Sequence, residues 1–566
     1  MRARALPIAL AAVLFTGACS GSPSSEADPS DSAAEPEQPV AQVATAAASE
    51  PLTLVTGDDP VATSVSASRT FFDRSDVVVL AAEGDRAGTL LGASAAVALG
   101  VPLLLGADGD GVADPVLAEL DRLGTTTVLA IGNAAPAPGA GSAPSSPSGE
   151  DARVIGVPAD PAALARVLDQ DLADAEPVAE GADVTAVAEL DRDEPAALRP
   201  EGGDSTEADT APGELPDVEA ADPLERTLVL VTGDPDGLAG AATARAAGAR
   251  VLVTDGATDP RASEELVSAL AEADAEHVVA LGAAFAAEDG LDWKLATAAT
   301  GTQLPGGGQL LFPGRMLVAL YGHPGTGALG VMGEQPLDAA IERARAHAAP
   351  YEPLVDTTVV PAFEIIATVA SSSAGDDGDY SAEADPEFLR PWVEAAGRAG
   401  MYVVLDLQPG RTDFVSQAEQ YRSLLELPHV GLALDPEWRL GPDDVHLTQI
   451  GSVGVEEVNQ VIGWLADLTR AKALPQKLLV LHQFRLDMLP GRELVDTGRD
   501  ELAVMIHADG QGAQGDKQET WRALHEAAPP GLYWGWKNFY DEDLPVLTPE
   551  QTMGQVSPLP ELVTYQ

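Results

Sequence analysis

Cys19 is the only cysteine among 566 residues, so no disulfide can staple any part of this chain. Positive charge is scarce as well: 32 lysines and arginines stand against 89 aspartates and glutamates, a formal net charge of −57. That balance argues against a nucleic-acid partner, because such proteins need basic patches to displace phosphate counterions, and it disfavours direct attraction to an anionic bilayer. Aromatic residues amount to only 4%, and past residue 15 no apolar run is long enough for a second membrane span. What is abundant is small and apolar. Residues of the hydrophobic class make up 45% of the chain, ample for real cores, and the length calls for three or four domain-sized units rather than one.

The first residues, MRARALPIALAAVLFTGACSGS, place Arg2 and Arg4 before an apolar stretch from Ala5 to Phe15 and small residues before Cys19. This is the pattern of a secretory signal over 1–18, too short to span a bilayer as a mature helix. The Thr16-Gly17-Ala18-Cys19 end resembles the bacterial lipobox, which implies lipidation of Cys19, attachment to a membrane through that lipid, and an extracytoplasmic location. Residues 19–50 are mostly Ser, Pro, Ala and Glu and read as a flexible tether that carries the folded parts clear of the membrane. Two stretches of similar texture follow, at 134–151 and, strongly acidic, at 176–223.

Between these stretches the sequence repeats. DVVVLAAEGDRAGTLLGASAAVALGVPLLLGADG, from Asp76, parallels TLVLVTGDPDGLAGAATARAAGARVLVTDGATDP, from Thr227, and each continues through a helical stretch into a strand ending in glycine, Gly132 and Gly282. Each unit alternates strand and helix, with the continuous Val/Leu runs of parallel strands buried on both faces. Two doubly wound α/β units are expected, over 51–175 and 224–305. The pattern resembles the cell wall-binding repeat 2 family: Val101-Pro102-Leu103-Leu104-Leu105 and Ile131-Gly132 fit its motifs, while Arg250 and Ala283 depart from them in the second unit. That family has three tandem units where two stand here. The resemblance implies non-covalent attachment to anionic wall polymers. The loops Gly84–Gly88 and Gly233–Gly237 follow a strand and open a helix, but neither matches a dinucleotide or P-loop motif, and no cofactor is expected.

From residue 309 the texture changes. Strands become richer in aromatic and β-branched residues, six of the seven tryptophans occur, and seven strand patterns alternate with helical ones up to residue 566. This reads as a TIM-like (β/α) barrel with the eighth strand unplaced. Active sites of such barrels lie at the C-terminal ends of the strands, and here those ends carry His323, Glu364, Asp406, Asp435 with Glu437, His482, His507 with Asp509, and Trp534 with Trp536 and Lys537. Asp435-Pro436-Glu437 is the sharpest element. As residues i and i+2 of a strand, its acids would share one cavity, and crowding them there would raise the pKa of one into the range of a proton donor.

The Leu434-Asp435-Pro436-Glu437-Trp438 segment resembles the strand-four Asp-x-Glu of barrel glycosidases such as family 18 chitinases and family 25 lysozymes, although Leu432 and Ala433 stand where the chitinases carry further acids. By that resemblance Glu437 is the general acid and Asp435 its partner or an orienter of the substrate. The expected catalytic set is Glu437, Asp435, Asp406 and His507. Glu364, His323, His482, Asp509, Trp534 and Trp536 are expected to bind substrate, the tryptophans by stacking on sugar faces. No metal is assigned. The function expected is cleavage of an extracellular or cell-envelope glycan by carboxylate acid/base chemistry. The alternatives are a non-catalytic surface protein that binds wall or glycan, and a metal-dependent hydrolase drawing on the strand-end histidines.

Overall fold

The computed structural model describes residues 40–106, 113–134, 152–174, 177–202 and 214–566. The signal sequence, Cys19 and residues 19–39 of the expected tether lie outside the described residues, as do 135–151 and 203–213 of the two linker stretches. No described helix is long and apolar enough to cross a membrane.

The N-terminal body contains two four-stranded parallel sheets. One runs in the order Leu103–Gly106, Val77–Ala82, Thr127–Ile131, Arg153–Val157; the other Arg250–Val253, Thr227–Val231, His277–Leu281, Leu52–Val55. These are the doubly wound units seen in the repeat, with one exchange. Leu52–Val55, which the sequence reading placed at the start of the first unit, pairs instead with His277–Leu281 and completes the second sheet. It occupies the position that Arg153–Val157 holds in the first sheet, and both strands lead into a helix begun by Asp-Pro. Asp59 caps one helix by accepting from the Ala62 N–H, and Asp160 caps the other from Ala162. Helices Pro60–Phe71, Arg86–Leu99 and Leu238–Ala246 pack together, so both units share one core. Small residues make this possible: a Cβ on Gly92 would stand 3.2 Å from Leu103 Cδ1.

Charge patterning misjudged two segments. Ala41–Thr45, inside the expected tether, forms a strand against Phe72–Ser75 and Val218–Glu219. Residues 177–202, inside the expected acidic linker, fold against the helices, because Val184, Val187, Leu190, Ala197 and Leu198 supply buried apolar contacts between the acids. Arg86 anchors this segment through Asp183 at 2.6 Å. The first glycine loop also differs from an open anion site. Asp85 turns its own carboxylate onto the helix start, accepting from Gly88 N at 3.0 Å and Asn133 N at 2.8 Å.

Residues 315–566 close into an eight-stranded parallel barrel: Arg315–His323, Thr358–Ile366, Tyr402–Leu407, Val430–Leu434, Lys477–Gln483, Leu502–Ala508, Tyr533–Asn538 and Leu562–Tyr565. Each strand pairs with the next, and the eighth pairs with the first. The eighth strand escaped sequence reading because it is four residues long and follows only a short helix, Pro549–Gln555. One apolar core lies between barrel and helices, and a second fills the barrel from Leu317 and Ala319 to Met505 and Leu562.

The two bodies join at the N-terminal end of the barrel strands. Lys294, almost fully buried, ion-pairs with Glu288 and with Asp500 at 2.5 Å, just before the sixth strand. Arg261 donates to the Asp500 carbonyl, and Trp293 lies under the guanidinium groups of Arg261 and Arg470. The barrel mouth therefore faces away from the α/β body. Replacing Lys294 with Met strands Glu288 with one partner fewer and removes the tie to Asp500; because Asp500 is half exposed, a loss of about 1–3 kcal/mol is expected in urea unfolding.

Candidate functional site

Residues i and i+2 of a barrel strand share a face, so each strand that lines the apolar interior carries that face on to one more residue at its C-terminal end. In this barrel that residue is polar every time: Tyr321, Glu364, Asp406, Asp435, His482, His507, Lys537 and Thr564, all buried. They meet. Tyr321 donates its hydroxyl to Asp406 at 2.8 Å, and the Lys537 ammonium sits 3.7 Å above the Tyr321 ring. His482 lies between carboxylates, its Nε2 2.8 Å from Glu364 and 3.7 Å from Asp406, its Nδ1 2.9 Å from Asp509. His507 packs beside it and shares a hydrogen bond with the Thr564 hydroxyl at 3.1 Å.

Above this layer opens a cavity of about 430 Å³, with Glu437, Asp435, Asp509, Lys537, Tyr321 and Gln408 among its polar walls. Trp438, Phe484, Phe539 and Leu447 supply apolar ones, and Trp438 is stacked on His446. Asp435 and Glu437 both reach the cavity, but not as strand neighbours. The strand ends at Leu434, and Pro436 turns the chain into a single helical turn whose start Asp435 caps, accepting from Glu437 N at 3.0 Å. Asp435 thus holds the backbone that carries Glu437.

The acids divide by environment. Burial alone would raise Glu364, but the charges of His482 and Lys537 outweigh it and hold the carboxyl below its usual range. Burial likewise opposes ionisation of Asp509, and Lys537 and His482 overcome it, keeping Asp509 ionised. His482 is the reciprocal case: desolvation disfavours its charge, yet Glu364 and Asp509 drive its pKa well above the usual histidine value. Asp406 is pushed by burial to about 6, and Asp435, buried among Asp406, Asp509 and Glu437, is raised well above the usual carboxylate range. Glu437, at the cavity wall, is raised by burial and by the Asp509 charge to about 7. Burial takes His507 down to about 3, with the His482 charge acting in the same direction, so its ring is neutral.

Several expected roles change place. Asp406 and His507 lie wholly buried beneath the cavity rather than at its mouth. His323, at a bulge where the first strand leaves the barrel, accepts from Gly325 N and stacks on Phe388, apart from the cluster. Trp534 and Trp536 do share a face, but it is the outer one: alternation that turns Lys537 inward turns them against Trp521 of the helix Gln514–His525. Tyr321, Gln408 and Thr564 were not singled out from sequence, and Lys537 was noted only as a strand-end residue. The inward register Leu317, Ala319, Tyr321 and Gly535, Lys537 would have found two of them.

No protein-family model and no curated protein matches the chain. Among solved structures it is similar to Cwp8 from Clostridium difficile, at 13% identity over 45% of this chain and 52% of that one, with a TM-score of 0.31. It is also similar to Cwp6 from Clostridium difficile, at 12% identity over 77% and 63%, with a TM-score of 0.30. The chain thus spans 52–63% of those structures' length, and a likeness of this order bears neither on its fold nor on its function.

Glu437 makes a stability prediction whose sign follows from its raised pKa. Its protonated form is favoured in the folded state, so that contribution is fully present below the unfolded value of 4.5 and is lost as pH rises to about 7. A Glu437→Gln variant, permanently neutral, is expected to match the parent near pH 4.5 and to exceed it by about 1–3 kcal/mol at pH 8 in denaturant titrations.

Proposed function

We propose that this is an exported envelope protein, lipidated at Cys19, whose barrel cleaves a cell-envelope or extracellular glycan. The observation that carries the reading is a pair of unlike carboxyls on one cavity: Glu437 poised near neutrality and Asp509 held ionised by ion-pair contacts with His482 and, at 3.7 Å, Lys537. Glycosidic cleavage asks for such a pair, one acid able to protonate the leaving oxygen and one carboxylate to attack the anomeric carbon or activate water. Glu437 is the general acid in this scheme. Asp509 takes the second role, which the sequence had given to Asp435; Asp435 positions the turn bearing Glu437 instead.

Trp438, Phe484 and Phe539 take over the stacking role first given to the outward tryptophans, since they line the cavity. The α/β units, by their resemblance to wall-binding repeats, would hold the chain against an anionic polymer while the barrel mouth faces away from them. The lipid on Cys19 keeps the whole protein at the membrane surface.

Two measurements test this reading. Incubation of the full chain with a panel of wall and extracellular polysaccharides should release reducing ends, with the rate falling as pH rises through about 7, where Glu437 loses its proton; Glu437→Gln should lower kcat by about 10²–10⁴-fold. A folded chain that releases nothing from any polymer, yet sediments with walls, would make the barrel a binding module. In cells, Cys19→Ser should move the protein from the membrane fraction to the soluble one; unchanged partition would refute the lipid anchor.

A further inference from the structure

Glycosidic chemistry as proposed uses Glu437 and Asp509 at the cavity wall and leaves the layer beneath them without a task. In that layer four atoms of fully buried side chains have no hydrogen-bond partner: both carboxylate oxygens of Glu364, Oδ1 of Asp406 and Nε2 of His482. Three of them lie close together. His482 Nε2 is 2.8 Å from Glu364 Oε1 and 3.7 Å from Asp406 Oδ1, but the contact with Glu364 is not aligned as a hydrogen bond. A buried polar atom left unpaired costs about 1–3 kcal/mol, and native interiors contain few of them. Four in one layer call for something placed among them.

The donor set says what. Glu364, His482 and His507 each offer one ligand atom, and the three atoms lie within 4.8 Å of one another. Two imidazoles and a carboxylate are a donor set that suits zinc and its neighbours in the first transition row. We infer that the barrel floor binds one divalent transition-metal ion of the zinc class through Glu364, His482 and His507.

The surroundings are built for it. Asp509 contacts Nδ1 of His482 at 2.9 Å, the carboxylate behind a ligating histidine that fixes ring orientation and raises ligand basicity. Thr564 engages Nε2 of His507 at 3.1 Å, which leaves Nδ1 of that ring on the side of His482, 3.4 Å from its Nδ1. Tyr321 ties down Oδ2 of Asp406, so Oδ1 remains to accept from a water on the ion.

This site is independent of glycan cleavage, and its test reads binding rather than turnover. The full chain, stripped with a chelator and dialysed, is titrated with Zn²⁺ by calorimetry and with Co²⁺ by visible absorption. One Zn²⁺ per chain is expected, together with a Co²⁺ spectrum of an inner-sphere nitrogen and oxygen site. Glu364→Gln and His507→Gln should each weaken Zn²⁺ by about 100-fold or more. The double variant Asp377→Asn, Asp379→Asn, in the separate acidic group formed with Glu383, should leave affinity unchanged. Absence of Zn²⁺ binding by the folded chain, or stoichiometric binding that neither substitution weakens, would overturn the site. Should both variants fail to fold, the parent decides it: a Co²⁺ spectrum identical to the aqueous ion refutes the site.

Discussion

Eight strands closed on themselves leave no room for bulk water among their inward side chains, so every charge placed there must be answered by another charge or a dipole. This constraint organises the upper half of the barrel. His482 stands between Glu364 and Asp509, Lys537 lies against Asp509 and the face of Tyr321, and Tyr321 passes a hydroxyl hydrogen to Asp406. His482, Lys537 and Tyr321 are each held by two others from elsewhere in the barrel. Below them the interior is filled mainly by apolar side chains, from Leu317 and Val360 to Leu478 and Ala503, so the polar layer rests on a packed floor. Glu437 differs from its neighbours because it sits at the edge of this arrangement, where burial and the Asp509 charge outweigh the opposing charges of Lys537 and His482.

The wider chain makes the same point through scarcity. It contains five lysines, and four of them, Lys294, Lys477, Lys517 and Lys537, are buried. None of those four serves as a surface counter-charge. Lys477 donates to the carbonyls of Leu427 and Val430, Lys517 reaches Asp543 and the carbonyl of Lys537, and Lys294 joins the α/β body to the barrel. In a protein of net charge −57, a lysine enters the interior where a carboxylate or carbonyl cluster has to be answered, and otherwise hardly enters the chain at all.

The α/β body shows a different economy. Its two sheets exchange a strand, share the core beneath three helices and tolerate acidic residues between buried aliphatics, so a segment that looks like linker by charge folds as structure. Its attachment at the N-terminal end of the barrel strands leaves the opposite end, where the polar layer lies, free.

Much of this was legible in the sequence because it depends on local periodicity. Strand and helix alternation, the repeat, and the clustering of acids and imidazoles at strand ends all follow from patterns a few residues long. The positions of Glu364, Asp406, Asp435, Glu437, His482, His507 and Asp509 at one end of one barrel came from that reading. What the linear pattern left undecided was which side of each strand faced inward and which partners stood across the barrel. Register and closure bring together residues from eight strands spread over some 250 positions, and they turned Trp534 and Trp536 outward, set His323 aside and brought Asp509 onto the same cavity as Glu437. Sequence determined which residues are available and at what level of the barrel they stand; only tertiary structure decided which are dry, which are paired and which proton each holds, because desolvation and charge pairing are properties of the assembled neighbourhood.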